Sequence, residues 1–271
     1  MDLRIAKPVC VLLLLLLLLL LLGSLGGCTS DTGSSPQLMV FAAASLNDVM
    51  GEVGNRFEQE HGIHVNYNFA GSNVLAQQLI AAPKADLFIS ANKAWMRRLG
   101  QAKRIVPGSR QAVLGNRLVV IVNHASTLEG APRELFCAPG FEYLSIGNPE
   151  AVPAGIYARE WLETLDCDGD SAWDAVAGHI APAPNVRAAL GLVEADRDIP
   201  GIVYTTDAAM SEKVRIIHEV SGKDAPVITY HGALVDNGSS HEQTRLFLHF
   251  LSGEQAAAIF RRYGFIPPQD A

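Results

Sequence analysis

Positive charge is sparse in this chain, and it forms no basic cluster. Only 18% of the 271 residues are charged, and the formal net charge is −7. Nucleic acids select patches of lysine and arginine, so an acidic chain of this kind is a poor partner for them. It also repels anions at long range, so any anion site must depend on local dipoles.

Sequence motifs for common chemistry are also missing. The chain has no G-x-S-x-G elbow and no glycine-rich phosphate loop. His61 and His64 lie on either side of Gly62, with no third metal ligand near them in the sequence, which argues against a zinc site. We therefore expect no cofactor and no site for a bare metal cation.

One long apolar run lies at the N-terminus and is typical of a targeting segment. A short basic region precedes an unbroken leucine run at residues 12–22, and the sequence LGGC follows at residues 25–28. LGGC resembles a bacterial lipobox, in which cleavage leaves a lipidated cysteine at the new N-terminus. We expect residues 1–27 to be a lipoprotein signal peptide, Cys28 to carry the lipid, and residues 28–36 to form a flexible tether. An ordinary signal peptide cleaved nearby is the alternative.

Four cysteines are present, and two of them, Cys10 and Cys28, belong to this targeting segment. Cys137 and Cys167 remain for the folded part of the chain. Exported proteins favour disulfides, so we expect a bond between Cys137 and Cys167. Two unpaired thiols are the alternative.

Strand-like and helix-like patterns alternate along the rest of the chain. Short apolar runs are typical of buried strands, and segments with helical spacing separate them. Examples of these runs are MVFAAA at 39–44, RLVVIV at 117–122 and GIVY at 201–204. Repeated strand–helix units predict an α/β fold with largely parallel sheets.

The order of these units predicts two lobes. We expect the first lobe to comprise residues 37–116 and 233–271, and the second to comprise residues 117–232. The strand VITYHGALV at 227–235 would carry the chain back to the first lobe. Two crossings make a hinge, and small ligands bind in the cleft between two hinged lobes.

Five uncharged residues are candidates for a shared binding site: Ser45, Ser72, Ala154, Val186 and Tyr204. Four of them sit where a strand or loop gives way to a helix, and we expect Ser45 to be a helix N-cap. The first amides of a helix lack intrahelical partners and lie at the positive end of the macrodipole, so they attract anions. Several such helix starts around one cleft favour a binder of a tetrahedral oxyanion over an enzyme. Taken singly, each residue is also consistent with ordinary capping or core packing.

Seven motifs follow one another along residues 38–265: FAAASL (41–46), ADLFISA (85–91), LGNRLVVI (114–121), IGNPEAVPAGIYA (146–158), NVRAAL (185–190), GIVYTTDA (201–208) and RYGF (262–265). In this order they resemble the periplasmic molybdate-binding proteins of bacterial ABC transporters, the ModA family. The resemblance implies a two-lobed type II periplasmic binding protein fold with the ligand cleft between the lobes. It also implies molybdate or tungstate as ligand, with molybdenum present only as the bound oxyanion. Its partners would be a membrane permease and the ATPase of that permease, and we expect a monomer outside the cytoplasm.

The resemblance also implies a role for each candidate residue. Ser45 and Ser72 would each contribute a hydroxyl and a backbone amide. Ala154 and Val186 would contribute backbone amides, and Tyr204 would contribute its hydroxyl. The neighbouring Arg187 is expected to stay outside the site, because a buried cation would weaken discrimination between anions.

Two further functions remain open at this stage. The same fold could serve another tetrahedral oxyanion or a small carboxylate. More remotely, the chain could be a secreted serine hydrolase that uses Ser45 or Ser72, which would require a general base beside the serine. Neutral donors cannot move a proton at neutral pH. A protonated oxyanion would bring an extra donor and find too few acceptors, so an oxyanion site of this kind should prefer the fully deprotonated ion.

Overall fold

The computed structural model describes residues 36–239 and 241–268. The expected signal peptide, the lipidation site at Cys28 and nearly all of the expected tether lie outside the described residues. Within the described ranges, none of the helices has the length and apolar character needed to span a bilayer.

The described residues form twelve strands and ten α-helices. The strands are β1 (Gln37–Ala43), β2 (His64–Ala70), β3 (Leu87–Ser90), β4 (Gln111–Asn116), β5 (Leu118–Asn123), β6 (Leu144–Gly147), β7 (Asp166–Cys167), β8 (Asp170–Ser171), β9 (Ile180–Ala183), β10 (Gly201–Tyr204), β11 (Val214–Glu219) and β12 (Ile228–Leu234). The helices are α1 (Asn47–His61), α2 (Ser72–Ala81), α3 (Lys93–Gln101), α4 (Pro132–Cys137), α5 (Pro153–Glu163), α6 (Ala172–Val176), α7 (Val186–Ala195), α8 (Thr205–Ala209), α9 (Glu242–Leu251) and α10 (Glu254–Arg262).

The large strands form two five-stranded sheets, one for each lobe. The spatial order is β2-β1-β3-β12-β4 in the first sheet and β11-β5-β10-β6-β9 in the second. The pairing of neighbours leaves a single reversed strand in each sheet, β12 in the first and β5 in the second. Each reversed strand is the first one after the chain changes lobe. The predicted α/β fold with largely parallel sheets and two lobes is confirmed.

Periodicity explains the helices that cover the sheets. In α1 the buried residues Val49, Met50, Val53 and Phe57 recur at helical spacing and pack into the core of the first lobe. The helix ends at Gly62, whose φ of 68° is a left-handed conformation that glycine adopts without strain. Strand β5, by contrast, is apolar and buried at nearly every position because it lies between β11 and β10.

The chain passes between the lobes twice. The first crossing is at Arg117, between β4 and β5. The second lies between β11 and β12, before residue 228, so the expected boundary at residues 232–233 is wrong. All of β12 belongs to the first sheet, since it pairs with β3 and β4. The apolar pattern predicts a strand at 227–235, but the choice of sheet depends on neighbours distant in sequence.

The second lobe contains a disulfide. It joins Cys137, at the end of α4, to Cys167 in β7, with 5.3 Å between the two Cα atoms. This is the cysteine pair that the export signal and the cysteine count suggested. The bond closes a loop with a sequence separation of 30 residues, and neither cysteine lines the pocket described below.

Candidate functional site

A small pocket lies between the lobes and takes half of its lining from each. It contains about 220 Å³ of space between its lining atoms, including open solvent at its mouth. The first lobe contributes Ala43, Ala44, Ser45, Gly71, Ser72 and Ala91, and the second contributes Val152, Pro153, Ala154, Asn185, Val186 and Tyr204. All five candidate residues therefore meet in this pocket, and each of them is at most 4% exposed.

Ser45 reaches the pocket from a short 3-10 helix, Ala44–Leu46, that links β1 to α1. The expectation that it is an N-cap is wrong, because it lies inside the 3-10 helix and makes no capping bond. Its Oγ atom lies 2.7 Å from the Oη atom of Tyr230, a buried residue of β12. The 3-10 turn therefore directs the hydroxyl toward β12 and away from its own backbone.

Ser72 is the first residue of α2, and Gly71 before it is the cap. The Ser72 oxygen accepts a hydrogen bond from the backbone amide of Ala91 at 3.1 Å, which leaves its own proton available to a ligand. A side chain at Gly71 would place a Cβ atom 2.8 Å from the carbonyl oxygen of Pro184 in the second lobe. Glycine at this position thus allows the two walls of the pocket to approach each other.

Two helix starts form the wall on the side of the second lobe. Pro153 is the first residue of α5 and Ala154 the second, while α7 begins at Val186 after its cap, Asn185. The Asn185 side chain accepts the amide proton of the third residue of α7. The amides of Ala154 and Val186 are among the first four of their helices, so neither has an intrahelical carbonyl partner. These two helix starts can therefore supply donors and positive dipole ends to one ligand.

A glycine fixes the position of the α5 start. A Cβ atom at Gly155 would lie 1.8 Å from the carbonyl oxygen of Gly147 at the end of β6. No side chain fits in that space, so glycine is required for α5 to begin directly against the sheet. The amide of Ala154 is consequently held on a rigid backbone rather than on a mobile loop.

Tyr204 is the cap residue of α8 at the end of β10, and it is 1% exposed. Its hydroxyl has no hydrogen-bond partner among the described residues. Burial raises the pKa of this hydroxyl well above its ordinary value, and the neighbouring Tyr230 raises it further. The group is therefore a neutral, protonated hydroxyl at physiological pH, and it can donate a hydrogen bond.

Among the described residues, those that line the pocket include no ionisable side chain other than Tyr204. Arg187 follows Val186, but its guanidinium bonds to Asp48 of α1 and lies 2.6 Å, from Nε to Oδ1, from Asp207 of α8. Asp207 lies in the first turn of α8, whose cap residue is Tyr204. The contact with Asp48 joins the two lobes, so Arg187 is a link between them and its charge is balanced by two carboxylates.

Asp207 is fully buried beside this arginine. Burial raises the pKa of its carboxyl to about 7, while the positive charge of Arg187 acts in the opposite direction. The carboxyl is thus close to its titration point at neutral pH, although Asp207 is not one of the residues that line the pocket.

The surroundings of the two serines do not support hydrolysis. Within residues 36–239 and 241–268, the hydroxyls of Ser45 and Ser72 bond to the Tyr230 hydroxyl and the Ala91 amide. Neither partner can act as a general base at neutral pH. The same residues also contain no group of three or more histidine, cysteine, aspartate or glutamate side chains that could hold a metal ion.

Sequence reasoning missed two polar residues behind the pocket, Asn116 and Tyr230. Both are at most 2% exposed, and both are hydrogen bonded in a series that ends at Ser45. Asn116 is part of the LGNRLVVI motif, which was interpreted only as a strand and a crossing. No local pattern distinguishes Tyr230 from an ordinary core tyrosine, because its partners are distant in sequence.

Comparison with known proteins matches residues 38–266 to the family model of bacterial extracellular solute-binding proteins. The chain is 39% identical over 245 residues to the molybdate-binding protein ModA of Escherichia coli K12, covering 89% of this chain and 91% of that protein. It is 30% identical over 248 residues to a putative ABC transporter substrate-binding lipoprotein, YvgL, of Bacillus subtilis, covering 89% and 92%.

Solved structures share the fold at lower identity. The periplasmic molybdate-binding protein of Azotobacter vinelandii has a TM-score of 0.72 at 19% identity, covering 86% of this chain and 100% of that one. The sulfate-binding protein SubI of Mycobacterium tuberculosis has a TM-score of 0.74 at 16% identity, covering 86% and 87%. Proteins that share this fold therefore include one named for molybdate and one named for sulfate.

Proposed function

The chain belongs to the family of bacterial extracellular solute-binding proteins, and on that premise we propose that it captures molybdate and tungstate and delivers them to an ABC permease with its ATPase. Relatives that carry the name molybdate-binding protein match nearly the whole chain. The protein acts as an exported monomer that binds and releases its ligand without chemical change. Molybdenum enters the site only as the oxyanion, and no cofactor takes part.

The pocket of neutral donors between the lobes carries this proposal. Three hydroxyls, from Ser45, Ser72 and Tyr204, and the amides of helix starts surround a space without a cationic side chain. A hydrogen bond to a charged ligand contributes about 1.5–3 kcal/mol, roughly twice the contribution of a neutral one. Several such bonds hold a dianion without a lysine or an arginine.

The pocket offers few hydrogen-bond acceptors, and this favours a fully deprotonated ion as ligand. The Ser72 oxygen already accepts from the Ala91 amide, and backbone amides can only donate. A protonated oxyanion would bring an additional donor with few acceptors to receive it. Sulfate is also fully deprotonated, so discrimination against it must come from size: donors held on the ends of rigid elements adapt little to a smaller ion.

A titration with five anions tests the proposal. Molybdate and tungstate should raise the melting temperature, because a ligand that binds only the folded state stabilises it by mass action. Sulfate, phosphate and chromate at equal concentration should leave the melting temperature nearly unchanged. Equal stabilisation by sulfate would contradict the assignment to molybdate and tungstate. Hydrolysis of a panel of activated esters would support a hydrolase instead.

Attachment to the membrane is a separate part of the proposal. Lipidation at Cys28 anchors the protein to a bacterial membrane, with residues 28–36 as a tether, and the support for this is the LGGC sequence after the leucine run. Cys28→Ser should release the protein into the soluble fraction or leave an uncleaved precursor. Normal processing with unchanged membrane attachment of that variant would refute the lipid anchor.

A further inference from the structure

We propose that Tyr230 and Asn116 are positioning residues that hold the Ser45 hydroxyl as a hydrogen-bond donor toward the oxyanion and so determine selectivity for the deprotonated ion. This inference rests on the proposed function and extends it to residues behind the pocket. Neither Tyr230 nor Asn116 is among the lining residues, so both would act through Ser45.

The three residues form a buried series of hydrogen bonds. Asn116 Nδ2 donates to the Tyr230 hydroxyl at 3.3 Å, and that hydroxyl lies 2.7 Å from the Ser45 Oγ atom. The three side chains belong to residues that are between 0% and 3% exposed, so solvent does not compete for these bonds. A buried hydrogen-bond series is strengthened by its low dielectric surroundings.

The orientation of the Asn116 amide is determined by its other contacts. Its Oδ1 atom accepts the backbone N–H of Arg117 at 2.9 Å, which identifies the opposite end as the nitrogen. That nitrogen also donates to the Thr206 hydroxyl, 2.9 Å away in α8 of the second lobe. Asn116 is therefore held from both lobes, at the first crossing of the chain.

Counting protons then gives the series a direction. The Asn116 nitrogen can only donate, so the Tyr230 oxygen must accept from it. The single proton of Tyr230 then has the Ser45 oxygen, 2.7 Å away, as its acceptor, because among the described residues the nearby Tyr204 hydroxyl has no partner with hydrogen-bond geometry. Ser45 accepts from Tyr230, and its own proton remains for a ligand in the pocket.

The donation from Tyr230 to Ser45 affects the selectivity between deprotonated and protonated anions. With its oxygen engaged by Tyr230, Ser45 is poorly placed to accept a proton from a ligand such as hydrogen phosphate. Without the Tyr230 hydroxyl, the Ser45 hydroxyl can rotate and either donate or accept. Loss of that hydroxyl should therefore weaken binding of molybdate and reduce the preference for molybdate over hydrogen phosphate.

Calorimetric titration of wild type and variants with sodium molybdate and with sodium phosphate tests the inference. Tyr230→Phe should weaken molybdate binding by about 3- to 10-fold, the range for one net hydrogen bond, and lower the molybdate-to-phosphate affinity ratio. Tyr67→Phe is the matched control, because it removes another buried tyrosine hydroxyl of the first lobe that lies outside the pocket. It should bind both anions as wild type does.

A double-mutant cycle distinguishes positioning from a general structural role. If Tyr230 acts through Ser45, the Ser45→Ala, Tyr230→Phe double variant should bind molybdate as weakly as Ser45→Ala alone. Asn116→Ala provides a second route and should likewise have no further effect in the Ser45→Ala background. Wild-type affinity in Tyr230→Phe, or a double variant that loses the product of both single effects, would overturn the inference. Absence of molybdate binding by the wild type would overturn the proposed function and this inference with it.

Discussion

The unpartnered Tyr204 hydroxyl provides the sharpest test of the site. The substitution Tyr204→Phe removes one oxygen and keeps the ring that packs against Tyr230, whose centroid is 6.0 Å away. The hydroxyl is buried and makes no hydrogen bond within the described parts of the chain. Its removal therefore breaks no bond of the protein itself.

The expected effects on binding and on stability have opposite signs. If the hydroxyl donates to a dianion, its loss should cost about 1.5–3 kcal/mol, which weakens binding roughly 10- to 100-fold. Burial of a hydroxyl without a partner is unfavourable, so the ligand-free variant should unfold at the same temperature as wild type or a higher one. A residue that only supports the core would show the reverse, with reduced stability and nearly normal affinity.

Two measurements on three proteins test this prediction. Calorimetric titration with molybdate gives the affinity, and scanning calorimetry without ligand gives the melting temperature, for wild type, Tyr204→Phe and Tyr67→Phe. The Tyr67 hydroxyl is also buried without a partner, so its removal should match Tyr204→Phe in stability but leave affinity unchanged. Full affinity in Tyr204→Phe, or equal losses of affinity in both variants, would refute the reasoning.

Three other predictions concern residues outside the pocket. Asp48→Asn removes the ion pair between Arg187 and the first lobe. It should weaken molybdate binding less than about fivefold, because a partly exposed ion pair contributes at most about 1 kcal/mol. A loss of affinity as large as that of Tyr204→Phe would show that this ion pair dominates binding. Burial raises the folded-state pKa of Asp207 to about 7, so wild type should lose stability relative to Asp207→Asn, by on the order of 4 kcal/mol, as the pH rises from about 4 to 7. Urea unfolding at several pH values measures this difference, and parallel curves would contradict it. Reduction of the Cys137–Cys167 disulfide should lower the free energy of unfolding by roughly 3–4 kcal/mol and leave molybdate affinity unchanged. Free thiols at both cysteines of the exported protein, detected by mass spectrometry, would show that the bond does not form.

The sequence indicated the pocket well where the chemistry was local. Ala154 and Val186 stand at helix starts, and the amides of a helix start are free wherever the helix lies. Pro153 and Asn185 signal those starts directly, as a first-turn proline and a cap. The uncharged character of the five candidate residues was visible in the same way, and none of the described residues that line the pocket has a cationic side chain.

Local signals were less reliable for side-chain partners. Ser45 matched an N-cap pattern, yet its hydroxyl bonds to Tyr230, which is 185 residues away. Arg187 was expected to lie outside the site, which agrees with its position, but the sequence could not show that Asp48, 139 residues away, would be its partner in the other lobe. The expected lobe boundary fell inside β12 for the same reason, since the pairing that places all of β12 in the first sheet is a contact between distant segments.

By itself the sequence determined the alternation of strands and helices, the helix starts and the neutral character of the donors, because each of these follows from residues adjacent in the chain. Only the tertiary structure decided which donors share one pocket, which hydroxyls already have hydrogen-bond partners, and where Arg187 places its charge. These properties depend on contacts across the hinge and between sheets. Apolar periodicity specifies which face of a helix or strand is buried, whereas tertiary packing decides which other element that face contacts.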